Sequence, residues 1–407
     1  MEELKAGWRK VKLGDIIDFN PKETLKKNTI SKYVEMAQLQ CFARNIIGYS
    51  FKEYKGGTKF RNGDTLLARI TPCLENGKTA FVDILEEDEV GFGSTEYIVL
   101  RKKEGYTDEN YIFYLAISDL FRQIAIKSMT GTSGRQRVQT EVLKNSEIVI
   151  PEVNIQKKIA SILSLLDEKI ELNRKINQNL EEIAQALFKR WFIDFEFPNK
   201  EGKPYKSSGG KMIKSELGEI PEGWETSELG KIVQISSGKR PKIKFEKNNI
   251  KESLYPIVGA NGIMGYTNDF LIEDNVILIG RVGTIGNIKI YTFKIWPSDN
   301  TLIITSSYLE YMFFILKLFD FTQINRGSTQ PLITQTDIKN LKIVVSKKYL
   351  AKFCNIISNN FKLIEQNQKE TEKLIELRDY LLPKLMNGEI DVSNLKIFEI
   401  LNSDKFN

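Results

Sequence analysis

Two long stretches of the chain carry a series that repeats every seven residues, with a second series four residues after it. In the first stretch the positions are Ile159, Leu166, Asn173, Leu180 and Leu187, followed by Leu163, Ile170, Asn177, Ala184 and Trp191. In the second they are Phe353, Asn360, Asn367, Leu374 and Leu381, followed by Ile357, Ile364, Thr371, Arg378 and Leu385. Because apolar residues dominate both series, this heptad pattern predicts long helices at 152–197 and 347–388, and we call its positions the predicted seam.

Two such seams in one chain most simply bury each other. Helices joined through a globular segment would pair antiparallel, and the polar middle of each seam would fix the register. The alternative is that each helix packs on its own globular module. Pro383 is expected to disrupt the last turns of the second helix, and Gly388 suits a C-cap.

The remaining sequence shows short β-branched runs separated by Gly, Asn and Asp, such as EYIVLRK (96–102) and NTLIIT (300–305). Such runs predict strands. In both halves the order continues with a short apolar helix, at about 109–126 or 307–320, a polar loop, one apolar strand and a long helix. The predicted class is therefore α+β.

The two halves repeat each other. GWRKVKLGDI from Gly7 matches GWETSELGKI from Gly223, and TLLARITPCLENGKTAFV (65–82) matches VILIGRVGTIGNIKIY (276–291) in pattern. The polar loops GTSGRQRVQTEVLKN (131–145) and GSTQPLITQTDIKN (327–340) correspond as well. The predicted organisation is a module at 1–151, the first long helix, an exposed linker at 198–211, a module at 212–346, the second long helix and a tail at 389–407.

Composition narrows the chemistry. The chain has no histidine, which excludes Ser-His-Asp and Cys-His catalysis and histidine metal ligands. Its three cysteines form no CxxC pair and indicate reduced thiols in a cytoplasmic protein. The N-terminus lacks an apolar signal region, and no stretch is apolar enough to predict a membrane span. The net charge of +6 permits an anionic partner.

A search for an active site finds none. GKT at 77–79 lacks the glycine of a phosphate-binding loop, because Pro72 stands at that position. No Pro-Pro dipeptide is present for an adenine-methylating loop. One group of charged residues lies partly at the predicted helix end and partly in the linker, where no rigid metal-binding cluster is expected. Its members are Asp194, Glu196, Glu201 and Lys203.

Arginines and small polar residues recur at matching places in the two modules, as Arg69 and Arg281 do. Such residues read guanine edges, adenine edges and phosphates. Polar turns that cap strands have the same composition, and each residue taken singly fits that alternative. The candidate DNA-binding residues are Arg69, Thr71, Asn76, Lys78, Ser133, Arg135, Gln136, Arg137, Lys239, Arg240, Lys242, Arg281, Thr284, Asn287, Arg326, Ser328, Thr329 and Gln330.

Five segments are similar to one known family: SELGEIPEGW (215–224), FKRWFIDFEF (188–197), RVGTIGN (281–287), GSTQPLI (327–333) and LRDYLLPKLMNGEI (377–390). With their order and spacing, they resemble the specificity (S) subunits of type I restriction–modification systems. The first module departs from this pattern, since ARITPCLENGK lacks the glycines of RVGTIGN and GTSGRQRV replaces GSTQPLI.

The resemblance implies two globular target recognition domains separated by two long helices that form an antiparallel intramolecular coiled coil, with a pseudo-twofold repeat. Each domain would read one half of a split asymmetric site in double-stranded DNA. The chain would bind no cofactor. Two modification subunits would methylate adenine with S-adenosylmethionine, and two restriction subunits would use ATP and Mg²⁺.

Two other hypotheses remain open from the residues alone. One is a coiled-coil scaffold whose repeated modules bind protein, and the other is an enzyme that works without histidine. Salt-dependent binding to one gapped duplex sequence would distinguish DNA recognition from the scaffold. Methylation or cleavage by the isolated chain would identify the enzyme.

Overall fold

The computed structural model describes residues 5–132, 134–245, 254–327 and 330–393. The chain divides into two compact units, Met1–Arg174 with Lys369–Asn407, and Lys175–Gln368. Each unit contains one module together with one end of each long helix. The division therefore falls inside both helices, whereas the domain boundaries predicted from the sequence lie at the helix ends.

The described residues of the first unit form ten strands and four short α-helices, and the first long helix begins among them. The strands are β1 (Trp8–Lys12), β2 (Ile17–Phe19), β3 (Ile30–Val34), β4 (Ser50–Glu53), β5 (Thr58–Phe60), β6 (Thr65–Ala68), β7 (Thr79–Phe81), β8 (Gly91–Gly93), β9 (Tyr97–Lys102) and β10 (Glu147–Pro151). The helices are α1 (Leu13–Ile16), α2 (Glu109–Ile117), α3 (Asp119–Lys127), α4 (Thr140–Asn145) and the long α5 (Val153–Phe188). A π-helical turn, Lys189–Ile193, extends α5.

The described residues of the second unit follow a similar order, preceded by an additional two-stranded hairpin at 212–221. The strands are β11 (Met212–Ser215), β12 (Gly218–Pro221), β13 (Glu225–Glu228), β14 (Gln234–Ser237), β15 (Tyr255–Gly259), β16 (Gly262–Thr267), β17 (Val276–Gly280), β18 (Ile288–Tyr291), β19 (Trp296–Pro297), β20 (Thr301–Thr305) and β21 (Lys342–Val345). The helices are α6 (Leu309–Lys317), α7 (Gln335–Lys339) and the long α8 (Lys347–Met386).

The sheet topology of the two modules is closely similar, although the second sheet has four strands in the first module and three in the second. The first has four-stranded sheets in the orders β2-β9-β6-β7 and β4-β3-β8-β5, and the second has β14-β20-β17-β18 and β16-β15-β19. In each module one pair is parallel, β3 with β8 and β15 with β19. The ribbons β1-β10 and β13-β21 precede the long helices. The repeat predicted from the sequence is therefore also a repeat of strand pairing.

The central strand of each module is buried on both faces. In β6, Leu66 faces a smaller core between the two sheets, while its neighbour Leu67 faces a larger core shared with α2 and the long helices. In β17, Leu278 and Ile279 divide in the same way. Alternate residues of a strand point to opposite faces, which explains why these strands appear as continuous apolar runs.

One predicted helix is divided in two. The short apolar helix expected at about 109–126 ends at Ile117 and restarts at Asp119. Ser118 is extended, with ψ of 150°, and its hydroxyl accepts a hydrogen bond from Phe121 N, so it caps the second helix. The helix expected at 307–320 is observed as α6.

The two long helices pair antiparallel within each unit. In the first unit, Asn173 Nδ2 donates to Glu370 Oε2 over 2.7 Å, and Asp167 contacts Arg378. In the second unit, Asn367 Nδ2 donates to Asn177 Oδ1 over 2.8 Å. Along these contacts the residue numbers rise in α5 and fall in α8, as expected for antiparallel helices. The helix ends also pack against the modules, as Ile159 and Leu385 do in the first unit. Pairing between the helices and packing of each helix on a module, which the sequence offered as alternatives, are therefore both present.

All residues of the predicted seam are buried or half-buried. Burial departs from the heptad pattern at two positions. Leu166 and Leu187 are half-buried, whereas the adjacent Asp167 and Phe188 are buried. An α-helix has 3.6 residues per turn, so a strict spacing of seven drifts around its surface. Trp191 is buried in the π-helical turn after α5.

The expectation that Pro383 disrupts the second helix is wrong, since α8 continues through Pro383 to Met386. A proline removes one backbone hydrogen bond from a helix, and the turn that follows Pro383 is closed by Asn387 N, which donates to Pro383 O over 3.0 Å. Gly388 has φ of +71°, in agreement with a helix-ending position. The linker at 198–211 is mostly exposed, but the Tyr205 ring stacks on Phe197 with centroids 4.6 Å apart.

No helix within the described ranges is both long enough and apolar enough to cross a lipid bilayer.

A buried ion pair in the first unit gives a stability prediction. Arg378 Nη1 lies 2.9 Å from Asp167 Oδ1, both side chains are at most 7% exposed, and Tyr114 donates to the same carboxylate. We expect Arg378→Ala to lower the free energy of unfolding by about 3–5 kcal/mol, because it leaves Asp167 buried without its cation. Urea denaturation followed by circular dichroism measures this.

The exposed pair of Lys144 with Glu141 provides the control, and Lys144→Ala should cost less than about 1 kcal/mol. Replacing Asp167 and Arg378 together by leucine should recover most of the loss. Equal stability of the Arg378→Ala and Lys144→Ala variants would contradict the prediction.

Candidate nucleic-acid interface

Five candidate residues of the first module lie at one end of its central sheet, namely Arg69, Thr71, Arg135, Gln136 and Arg137. Strands β2 and β6 both pair antiparallel with β9, so their C-terminal ends meet the start of β9. A depression of about 570 Å³ there is lined by residues that include Asn20, Lys22, Arg69 and Thr95. We call residues 20–24, 69–71, 94–96 and 130–132 with 134–138 the first strand-end edge.

The second module forms the same edge. Strands β14 and β17 both pair antiparallel with β20, which brings the residues after each of them to the start of β20. Gly286, with φ of +74°, allows the RVGTIGN turn to pack closely, because an added Cβ would lie 2.9 Å from the Phe321 ring. We call residues 237–242, 281–287, 298–300, 326–327 and 330–333 the second strand-end edge.

Backbone hydrogen bonds attach the polar loop to each edge in the same way. In the first, Val138 N donates to Arg69 O over 2.9 Å and Thr71 N to Gln136 O over 3.0 Å. In the second, Ile333 N donates to Arg281 O and Gly283 N to Pro331 O, each over 3.0 Å. The two polar loops are thus corresponding parts of one frame.

The strand that borders each edge is matched too. Arg69 N donates to Glu96 O over 2.9 Å, and Arg281 N donates to Asn300 O over 3.0 Å. Glu96 therefore corresponds to Asn300 in the second module. The backbone is shared at these positions while the side chains differ.

Glu96 forms the main ion pair of the first edge. Arg137 Nη2 donates to its Oε1 over 2.7 Å, and Arg137 Nε lies 3.0 Å from both carboxylate oxygens. Arg69 Nε lies 3.8 Å from Oε2. The hydrogen bond from Arg137 lowers the pKa of Glu96, which remains ionised at neutral pH.

The second edge uses neutral groups for its central arginine. Arg281 Nη1 donates to Ser237 Oγ over 3.2 Å, and Gln335 Nε2 donates to the same oxygen over 3.0 Å. Two other arginines have carboxylate partners, Arg326 with Asp337 and Arg240 with Asp299.

The remaining candidates fall into three groups. Exposed side chains are those of Asn76, Arg135, Lys239, Lys242, Thr284 and Gln330. Two side chains hold backbone instead, since Lys78 Nζ donates to Met36 O and Asn287 Nδ2 to Ala260 O, each over 2.7 Å. Ser133, Ser328 and Thr329 lie outside the described residues.

Several residues of the two edges were not predicted from the sequence. Glu96 was not selected, because its proximity to Arg137 depends on the pairing of distant segments. The exposed Lys22 lies in the first edge, and the exposed Lys26 and Lys27 follow it. Their position after β2 matches that of GKRPK (238–242) after β14, so the internal repeat carried a signal for them.

The comparisons with known proteins agree with this architecture. A family model described as "Type I restriction modification DNA specificity domain" matches residues 5–182 and again residues 221–377. The two matches cover both modules and most of both long helices. They give no support to a protein-binding scaffold.

Individual relatives are similar along most of the chain. The MjaIX type I restriction enzyme specificity subunit of Methanocaldococcus jannaschii is 32% identical over 322 residues, or 72% of this chain and 71% of the relative. The HindI specificity subunit of Haemophilus influenzae is 27% identical over 478 residues, or 95% of this chain and 100% of the relative.

A crystal structure has the same fold. The S subunit of a type I restriction-modification system from M. genitalium has a TM-score of 0.62 and 17% identity, and the match covers 95% of this chain and 98% of that one. The predicted fold class is confirmed by this likeness together with the repeated family match.

The Glu96 ion pair predicts a measurable titration. We expect Arg137→Ala to raise the pKa of Glu96, which in the native chain lies below its ordinary value of 4.5. Because the folded pKa is depressed, the stabilising contribution is fully present above the unfolded value and is lost as the pH falls through the folded value. ¹³C NMR titration of labelled glutamate measures the shift. Lys144→Ala is the control, and an unchanged pKa in Arg137→Ala would contradict the ion pair.

Proposed function

The chain belongs to the family of type I restriction-modification DNA specificity subunits, and we propose from this premise that its two strand-end edges are the surfaces that read DNA. The protein is a DNA-recognition subunit. What supports the assignment of the edges is that both modules present basic and amide side chains at one matching place in one matching backbone frame.

The chemistry of the edges suits duplex DNA. Arginine can bind guanine O6 and N7 with two hydrogen bonds, glutamine and asparagine can bind adenine, and lysine contributes phosphate contacts. The first edge contains Arg69, Arg135 and Arg137, and the second contains Lys239 and Arg281. Loops held by a rigid sheet can present such groups in fixed positions.

We propose that each module reads one half of a split asymmetric site. The backbone frame is shared, but Glu96 and Arg137 in the first edge correspond to Asn300 and Leu332 in the second. Different side chains on the same frame would select different base pairs. The candidate DNA-binding residues named from the sequence remain proposals within this scheme.

The long helices are proposed to set the unread gap and to dock the modification subunits. The 36 residues of α5 correspond to about 54 Å, or the length of roughly 16 base pairs. Both helices carry exposed apolar side chains that a partner could cover, namely Leu165, Leu172, Ile183, Ile356, Leu363, Leu377 and Tyr380.

We assign catalysis to the partner subunits of the complex and not to this chain. Two modification subunits would supply S-adenosylmethionine-dependent adenine methylation, and two restriction subunits would supply ATP- and Mg²⁺-dependent translocation and cleavage. The chain itself would bind none of these cofactors. Its place of action would be the cytoplasm.

Exchange of one module tests the reading scheme. We expect that replacing residues 225–340 with the matching segment of a relative changes only one half of the methylated site, because the other edge is untouched. Mapping methylated adenines after co-expression with the modification subunit measures both halves and the gap. The reciprocal exchange of the first module is the matched control.

A changed first half, or a changed gap with both halves intact, would contradict the assignment of one half-site to each module. Absence of any split methylated site in the unaltered system would contradict the proposed function as a whole.

A further inference from the structure

Three charged side chains form a compact cluster on the first strand-end edge. Glu96 contacts Arg137 through two guanidinium nitrogens and lies 3.8 Å from Arg69 Nε. Arg69 Nε is buried and has no hydrogen-bond partner among the described residues. Arg137 is also fixed by its backbone, which exchanges two hydrogen bonds with Thr130 of 3.0 and 2.9 Å. The cluster is thus held by the loop frame and by its own charges.

The Arg137 guanidinium has two sides that differ in their contacts. Its Nε and Nη2 side is occupied by Glu96. Its Nη1 makes no hydrogen bond to a described residue, and the side chain remains 41% exposed. A guanidinium is planar and has five N–H donors, so the Nη1 side remains available to a planar partner with two acceptors. The carboxylate itself would repel phosphates and favour a base edge as that partner.

The second strand-end edge lacks this arrangement. Asn300 stands at the place of Glu96, Leu332 at the place of Arg137, and Arg281 bonds to the Ser237 hydroxyl instead. A carboxylate that faces two arginines is therefore found in the first edge and not among the described residues of the second, where Arg240 and Arg326 each have a separate carboxylate. The cluster belongs to the side chains that differ between the two edges, not to the shared backbone frame.

We propose that Glu96 is a positioning residue that presents the Nη1 side of Arg137 to a guanine in the half-site read by the first module. The inference rests on the proposed function, since it requires the first strand-end edge to face DNA. An arginine held in place loses less side-chain freedom on binding than a mobile one. Glu96 thereby converts a general phosphate contact into base discrimination.

The test uses the full chain assembled with its modification subunits and the duplex site found by methylation mapping. Each guanine of the first half-site, on either strand, is replaced in turn by 7-deazaguanine, which lacks the N7 acceptor. We expect one position to weaken wild-type binding about tenfold. In Glu96→Gln this sensitivity should disappear, while binding to unrelated duplex should strengthen and the salt dependence steepen by about one phosphate contact.

Two further variants separate positioning from folding. Arg137→Lys keeps the positive charge, but an ammonium group lacks the planar guanidinium that can bond Glu96 on one side and a base on the other. This variant should lose the same guanine sensitivity. Glu147→Gln makes the same charge change at an exposed pair with Lys10 on the β1-β10 ribbon and should behave as wild type. Discrimination in the second half-site should be unchanged in all variants, which also reports an intact fold.

The inference is overturned if Glu96→Gln keeps the wild-type sensitivity to 7-deazaguanine, or if no guanine of the first half-site shows any sensitivity. Those results leave split-site recognition intact. A wild-type complex without a split-site preference would instead overturn the proposed function and the inference together.

Discussion

Pairing between the two long helices is the contact on which each unit depends. It joins residues that are far apart in the chain, by 190 positions in the bond of Asn367 with Asn177 and by 211 in the bond of Arg378 with Asp167. In the first unit the paired helix ends share a core with α2 and the central sheet. In the second, Phe188 and Phe353 pack with Phe314 of α6. Each module therefore packs on residues from both long helices, so its core depends on their pairing.

The polar groups within this pairing determine its register. An apolar seam alone tolerates sliding, whereas Asp167 is satisfied only opposite Arg378 and beneath the Tyr114 hydroxyl. The hydrogen bond from Asn173 lowers the pKa of Glu370, so that carboxylate also stays charged in the pair. A fixed register fixes the helix surface on which each module packs. The strand-end edges are thus built on a defined base.

Above that base, the backbone and the side chains of the edges have separate roles. The hydrogen bonds of Arg69 and Arg281 to the neighbouring strand and to the polar loop are the same in both modules. The groups around the two arginines are not, with a carboxylate in one and a hydroxyl in the other. A frame that does not depend on the variable side chains allows them to change without loss of the fold. That property suits the proposed reading of a different half-site by each module.

The sequence predicted the features that depend on local periodicity and on repetition. The long helices followed from the seam, and the correspondence of Arg69 with Arg281 followed from the internal repeat. The burial of Asp167 was missed, because an acidic residue beside an apolar leucine gives no sign of a partner 211 residues away. Glu96 was missed for the same reason, since it reaches Arg137 only because the start of β9 and the polar loop both bond to the segment that begins at Arg69. The division of the helix at Ser118 depends on a single extended residue, which periodicity does not reveal.

Hydrogen–deuterium exchange of the assembled complex, with and without its mapped duplex, tests directly whether the two strand-end edges face DNA. We expect slower amide exchange on DNA binding in both strand-end edges, and unchanged exchange in β3 and β4 of the first module. Protection confined to β3 and β4, or absent from one of the two edges, would contradict this expectation.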